Sequence, residues 1–184
     1  MIGIIDVGSQ KTPDIFKAVK ESGREGEIFP FLETDFSNKN WEKAIISGAP
    51  ILLSQIEDTT PFVQQAKTLL NLEIPLLGIC FGHQIIGMAH GASCFMGEED
   101  REGRIIIKIQ NDPIFEGLDS EFEMSQDHCE YINLPEGFVH LGKSQVTEIE
   151  AMKHHSKPIY GCQFHPEVSG SNGLQFLKNF LKIN

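Results

Sequence analysis

The sequence has no hydrophobic run long enough to cross a membrane. Its longest apolar stretches, such as residues 74–79, are far shorter than the roughly 20 residues that a bilayer requires. The first residues lack the basic start of a signal peptide and already include Asp6. We therefore expect no membrane association, and we interpret residues 2–7 as a strand inside the fold.

Basic side chains are scarce, with 15 Lys and Arg against 26 Asp and Glu and a formal net charge of −11. Such a balance argues against a nucleic-acid-binding protein, because that function needs a basic surface. The cysteines form no CxxC pair and no zinc-like set with histidine, so no metal site is predicted. We expect free thiols in a reducing cytoplasm. The four cysteines are Cys80, Cys94, Cys129 and Cys162.

No repeat, low-complexity tract or linker interrupts the 184 residues, which predicts a single domain over residues 1–184. Short apolar runs alternate with helical stretches in the first half, as in a parallel sheet covered by helices. We predict an α/β fold: an open, mostly parallel sheet with helices on both faces and a small antiparallel insertion. The predicted helices begin near residues 12, 61 and 82, and a fourth helix closes the chain. The predicted strands are 2–7, 27–32, 43–47, 74–79, 104–110, 138–141, 149–153 and 159–164.

The most informative segment is residues 78–84, where a strand runs directly into a helix with Cys80 between Gly78 and Gly82. This glycine spacing is typical of a nucleophile elbow, a tight turn whose neighbours must lack side chains. The positive end of a helix favours a thiolate, and backbone N–H groups there can stabilise an oxyanion. The alternative is a buried packing cysteine, and this motif by itself leaves both interpretations open.

A second strand end supplies the partner that a nucleophilic cysteine needs. His165 follows a predicted strand, and Glu167 lies two residues further on, beyond the stiff Pro166. A histidine can act as the base, and a carboxylate on its far nitrogen fixes the tautomer. By itself this motif fits a surface turn, but together with the cysteine motif at the same sheet edge it indicates a Cys80, His165 and Glu167 triad.

These two motifs resemble those of the class I, triad-type glutamine amidotransferases, whose fold is flavodoxin-like. The resemblance implies that Cys80, His165 and Glu167 are catalytic and that glutamine is the substrate. Segment 47–50 is similar to the family's Ser-Gly-Gly-Pro loop, with Ala49 in place of the second glycine. By resemblance, Gly48 and Ala49 belong to the oxyanion loop, the N–H groups of Ala49 and Phe81 bind the oxyanion, and Gln84 contacts glutamine.

Within this family, the sequence is most similar to the glutaminase subunits of two-subunit GMP synthases. Segments 6–10, 112–118, 134–138, 150–154 and 157–161 carry that resemblance, while Lys11 and segment 125–128 depart from the branch pattern. The resemblance to these subunits implies a separate ATP-pyrophosphatase subunit that receives ammonia. The Ser-Gly-Gly-x-Asp-Ser-type pyrophosphate loop of that activity is absent here. No cofactor is therefore expected in this chain, and ATP and Mg²⁺ are expected in the partner.

Three alternatives remain open from the sequence. The nearest is the glutaminase subunit of anthranilate or aminodeoxychorismate synthase, which would bind a chorismate enzyme instead of an ATP-pyrophosphatase. A cysteine hydrolase outside the amidotransferases would share the nucleophile and the base but not the glutamine site. A non-catalytic binding module would not need an intact triad.

Overall fold

The computed structural model describes residues 1–184 and contains a nine-stranded sheet with helices on both faces. Five strands are parallel, and four antiparallel strands extend the sheet beyond the last parallel strand. Two further strands form a separate antiparallel pair. The predicted mostly parallel α/β fold is confirmed.

The strands and helices alternate along the first half of the chain and are followed by mainly antiparallel strands. The strands are β1 (Ile2–Asp6), β2 (Gly26–Pro30), β3 (Lys43–Ile46), β4 (Leu76–Ile79), β5 (Cys94–Asp100), β6 (Gly103–Lys108), β7 (Glu121–Ser125), β8 (His128–Ile132), β9 (Phe138–Lys143), β10 (Ala151–His154) and β11 (Ile159–Cys162). The helices are α1 (Thr12–Glu21), α2 (Thr60–Leu70), α3 (Phe81–Ala89) and α4 (Gly170–Lys182). In the main sheet the strand order is β2-β1-β3-β4-β11-β10-β9-β6-β7, and β5 pairs with β8.

Two apolar cores lie on opposite faces of the sheet. Helices α1 and α4 cover one face, where Ile15 and Phe176 are fully or almost fully buried. Helices α2 and α3 cover the other face, where Ala66 and Ile85 are fully buried. The central strands β3 and β4 are buried along their whole length, as expected for parallel strands covered on both faces.

Three strands were not predicted from the sequence: β5, β7 and β8. The insertion is therefore larger than predicted, and part of it continues the main sheet instead of forming a unit apart. No helix is long and apolar enough to span a bilayer.

Candidate active site

Cys80 lies between the end of β4 and the start of α3, as the glycine spacing predicted. Its backbone adopts φ 51° and ψ −104°, and it is one of only two non-glycine residues with positive φ. A non-glycine residue in such a conformation stores strain that the surrounding structure must sustain. The turn therefore has the geometry of a nucleophile elbow.

The two glycines around Cys80 are required by close backbone packing. A Cβ atom on Gly78 would lie 2.3 Å from the carbonyl carbon of Gly82. A Cβ atom on Gly82 would lie 2.5 Å from the carbonyl oxygen of Ile46. Neither glycine has a positive φ, so the missing side chain, and not backbone freedom, explains both positions.

The Cys80 side chain is 6% exposed and lines a cavity of about 620 Å³ at the carboxyl ends of the parallel strands. The Cys80 N–H donates to the carbonyl of Cys162 at 2.8 Å, which joins the turn to β11. Two polar atoms approach the sulfur: Nε2 of Gln163 at 3.6 Å and the carbonyl oxygen of Asp127 at 3.8 Å. The sulfur is thus held in a polar environment open to the cavity.

His165 follows β11 and lies on the same edge of the sheet as Cys80. Strand β11 pairs with β4 in parallel, with Cys162 opposite Ile79. Both strands therefore end at the same edge of the sheet. A Cβ atom on Gly48 would lie 3.0 Å from Cε1 of His165 and 3.5 Å from Cβ of Cys80. Both side chains therefore border Gly48 and line the same cavity.

Glu167 is hydrogen-bonded to His165, with 2.7 Å between Nδ1 of the ring and Oε1 of the carboxylate. Burial opposes a charged imidazole, but the interactions with the Cys80 and Glu167 side chains outweigh it and raise the pKa of His165 to about 10. The other ring nitrogen, Nε2, is buried and makes no hydrogen bond. The ring is thus oriented on one side by a carboxylate and keeps a second nitrogen for proton transfer.

The segment around Ala49 offers backbone donors to this cavity. Ala49 lines the cavity, and neither its N–H nor that of Phe81 donates a hydrogen bond within the chain. Ala49 has no positive φ, so the alanine that replaces the family's second glycine fits this loop without backbone strain. The Phe81 side chain points into the apolar core, where it packs against Phe31 and Phe62.

Gln84 also lines the cavity, and its side chain is buried and fixed in orientation. Its amide nitrogen Nε2 donates to the carbonyl of Glu130 at 3.0 Å and to Oε1 of Gln163 at 3.2 Å. Both N–H groups are therefore used within the chain, which leaves the carbonyl oxygen as the group that can receive a ligand N–H.

Several residues at the site were not singled out from the sequence: Lys11, Asp127 and Glu130 line the cavity, and Gln163 approaches the Cys80 sulfur. Glu130 is 2% exposed and accepts the N–H groups of Leu53 at 2.8 Å and Ser54 at 2.7 Å. It thereby fixes the loop after β3 to β8.

Segment 125–128, which departs from the pattern of the GMP synthase subunits, belongs to a series of hydrogen-bonded polar side chains behind the cavity wall. Gln126 is 4% exposed and joins Nε2 of His128 at 3.2 Å to Oε1 of Glu150 at 3.0 Å. Burial raises the pKa of Glu150 to about 7 and lowers that of His128. The structure contains no group of three or more His, Cys, Asp or Glu side chains placed to hold a metal ion.

A cysteine on a strained strand-to-helix turn, beside a carboxylate-oriented histidine and unpaired backbone N–H groups, has the geometry that cysteine-dependent acyl transfer requires. The family model described as "Glutamine amidotransferase class-I" matches residues 3–183. The chain belongs to this family, as the motifs predicted.

The individual proteins to which the chain is similar are more specific than the family model. A subunit of the glutamine-hydrolysing GMP synthase of Methanocaldococcus jannaschii is 37% identical over 100% of this chain and 97% of that protein. The protein of the same description from Methanosarcina acetivorans is 44% identical over 92% of this chain and 88% of its own length. Among solved structures, a candidate GMP synthase subunit from Thermoplasma acidophilum superposes with a TM-score of 0.88 and 29% identity, covering 98% of this chain and 91% of that one.

Proposed function

We propose that this chain is the glutaminase subunit of a two-subunit GMP synthase. It hydrolyses glutamine to glutamate and ammonia, and a separate ATP-dependent synthetase subunit uses the ammonia to convert XMP to GMP. The proposal rests on the observation that the Cys80 and His165 side chains both border Gly48 and line the same cavity. The likeness to these GMP synthase subunits favours this branch over the chorismate-linked glutaminases.

The first half of the reaction forms a bond to sulfur. The Cys80 thiolate attacks the side-chain carbonyl carbon of glutamine, and the N–H groups of Ala49 and Phe81 hold the oxyanion that develops. Protonated His165, which Glu167 orients, gives its Nε2 proton to the departing ammonia. A γ-glutamyl thioester on Cys80 remains.

The second half of the reaction returns the enzyme to its starting state. His165 removes a proton from water, which attacks the thioester carbonyl and releases glutamate. We assign Gly48 to the oxyanion loop because its lack of a side chain lets His165 and Cys80 approach. We assign Gln84 to substrate binding through its remaining carbonyl oxygen, and residues 1–184 to one amidotransferase domain.

Ammonia that escaped to bulk water would be protonated and lost as a nucleophile, so the cavity must open toward the synthetase subunit. Neither nucleic acid nor a membrane has a part in this scheme. All four cysteines are free, which fits a reducing cytoplasm.

The chain offers a matched pair of cysteines to test the proposal, because Cys80 and Cys129 line the same cavity. With the synthetase subunit present, we expect Cys80→Ala to abolish GMP formation from glutamine and to retain GMP formation from ammonia. Cys129→Ala should retain both activities. Full glutamine-driven turnover by Cys80→Ala would contradict the proposal.

A further inference from the structure

The turn of residues 125–128, which joins β7 to β8, contacts both Cys80 and the segment that carries His165, and it does so through its backbone. The carbonyl oxygen of Asp127 lies 3.8 Å from the Cys80 sulfur and can accept the proton of its thiol. The carbonyl of Ser125 accepts the backbone N–H of His165 at 2.9 Å. The Ser125 N–H donates at 2.9 Å to Oγ of Ser169, whose hydroxyl donates at 2.6 Å to the His165 carbonyl. A displacement of this turn would therefore move atoms in contact with both proposed catalytic residues.

Only one of the four side chains in the 125–128 turn is buried. Gln126 is buried, whereas Ser125 and His128 are half-buried and Asp127 is exposed. The amide nitrogen Nε2 of Gln126 donates to Oε1 of Glu150 at 3.0 Å. Its oxygen Oε1 faces Nε2 of His128 at 3.2 Å, which joins the two ends of the turn. The Gln126 side chain is therefore the buried anchor of the turn.

The partner of this anchor, Glu150, belongs to the main sheet. It is fully buried and directly precedes β10. Its N–H donates to the carbonyl of Gly142 in β9 at 2.9 Å, and its carbonyl accepts the N–H of Gln163 at 2.8 Å. The side-chain amide of Gln163 in turn lies 3.6 Å from the Cys80 sulfur. One buried residue thus fixes both the 125–128 turn and a second group beside the nucleophile.

The hydrogen bond between Gln126 and Glu150 contributes direction more than stability. A buried amide and carboxyl add little stability over apolar side chains of the same size, because their desolvation offsets the hydrogen bond. Burial raises the pKa of Glu150 to about 7, and Gln126 is among the groups that oppose this shift. Apolar contacts are non-directional, whereas a hydrogen bond fixes the amide at one position. The effect of the pair is therefore expected in the geometry of the turn.

We propose that Gln126 and Glu150 are positioning residues for the hydrolysis of glutamine. Their hydrogen bond holds the Asp127 carbonyl at the Cys80 sulfur and the Ser125 carbonyl at the His165 backbone. Neither side chain lines the cavity. The inference rests on the proposed function and adds to it two residues behind the cavity wall that affect the rate of attack by Cys80.

Two double variants test this role. Gln126→Leu/Glu150→Met removes both polar groups and leaves no unpaired carboxyl, so it should fold with a stability close to that of wild type. Gln126→Glu/Glu150→Gln exchanges the two groups and keeps an amide–carboxyl pair. The measurements are kcat and KM for glutamine with the synthetase subunit present, and the rate of Cys80 alkylation by iodoacetamide in the free chain, followed by peptide mass spectrometry.

We expect the apolar pair to lower kcat and the alkylation rate about 10- to 100-fold with little change in KM, because the atoms around the sulfur lose their fixed positions. The exchanged pair should stay within about threefold of wild type in both rates, since its hydrogen bond is retained. Thermal unfolding verifies that each variant folds. If the apolar pair does not fold, Gln126→Asn takes its place, because its amide is one methylene too short to reach Glu150.

Asn179 provides a matched control, because it is another buried amide and its Nδ2 donates to the carbonyls of Ile114 at 3.0 Å and Glu116 at 2.7 Å, away from the cavity. Asn179→Leu should lower stability and keep both rates. Equal rates in the apolar and the exchanged pair, or a loss confined to KM, would overturn the positioning role while leaving the proposed function intact. Wild type that hydrolyses no glutamine would instead overturn the proposed function.

Discussion

At the scale of single residues, the proposed chemistry depends on the two nitrogens of one imidazole ring. Glu167 holds Nδ1 of His165 at 2.7 Å, and Nε2 has no partner within the chain. Because Glu167 follows His165 by two residues across Pro166, the sequence predicted this pair correctly. Gln163, whose amide lies 3.6 Å from the Cys80 sulfur, was not predicted, since a glutamine inside a buried strand carries no signal of its target.

Replacing Glu167 by Gln tests the orienting carboxylate. The amide keeps the shape but removes the negative charge that favours imidazolium, so we expect glutamine hydrolysis to fall about 100-fold or more. The measurement is kcat/KM with the synthetase subunit present. Glu148→Gln is the matched control, because Glu148 lies 3.9 Å from His140 at an exposed position. A wild-type rate for Glu167→Gln would contradict the assigned role.

The same variant gives a prediction for stability against pH. The pKa of His165 is raised from 6.5 to about 10, so protonation stabilises the folded state fully below pH 6.5 and ceases to do so as the pH rises through about 10. The unfolding free energy of wild type should therefore exceed that of Glu167→Gln by on the order of 1–2 kcal/mol near pH 6, and the difference should shrink toward pH 10. Urea unfolding at both pH values measures this, and a difference that grows with pH would contradict it.

At the scale of elements, the nucleophile turn is held by packing between three of them. Gly82 at the start of α3 lies against β3, and Gly78 in β4 lies against Gly82. The spacing of glycines around Cys80 was sufficient to predict a strand, a turn and a helix here. The spacing did not show that β3 leaves no room for a side chain at Gly82, because the contact between Gly82 and Ile46 joins segments that are distant in sequence.

A comparison of two alanine variants tests this packing. Gly82→Ala places a Cβ atom 2.5 Å from the Ile46 carbonyl oxygen, and we expect a loss of about 3 kcal/mol in unfolding free energy. Gly91→Ala has no atom within 4 Å but a φ of +86°, so it should lose only about 1 kcal/mol. Urea unfolding of both variants gives the values. Equal losses would contradict the account in which close contact explains the glycine in the turn.

The strands that escaped prediction have physical features in common. Strand β5 is mostly exposed, and the buried side chains of β8 include the carboxylate of Glu130. Strand β7 buries only Phe122 and Met124 between exposed carboxylates. All three segments bury few apolar side chains. Strand β5 lacks a clear alternation of apolar and polar residues, and β8 buries a carboxylate where the pattern expects an apolar side chain, so both resemble loops in sequence. Strand β7 does alternate along its five residues, and this signal could have predicted it. The acidic end of β5 likewise resembles a solvated loop, although Asp100 is 1% exposed and pairs with Arg104 at 3.0 Å.

At the scale of the whole molecule, the site is assembled by sheet topology. The parallel pairing of β4 with β11 brings Cys80 and His165 to one edge although many residues separate them. This convergence followed from two strand-end motifs, and the fold and the family predicted from them are confirmed. The residues missed at the cavity, Asp127 and Glu130 above all, come from the turn and strand of the insertion, which joins the site only in three dimensions.

The most direct test of this convergence is covalent labelling with an electrophilic glutamine analogue such as 6-diazo-5-oxonorleucine, followed by peptide mass spectrometry. Cys129 lines the same cavity as Cys80 and therefore serves as an internal control. The account predicts one label per chain, on Cys80, with protection by glutamine and loss of labelling in His165→Ala. Labelling of Cys129 in place of Cys80, or labelling that glutamine and His165→Ala leave unchanged, would contradict it.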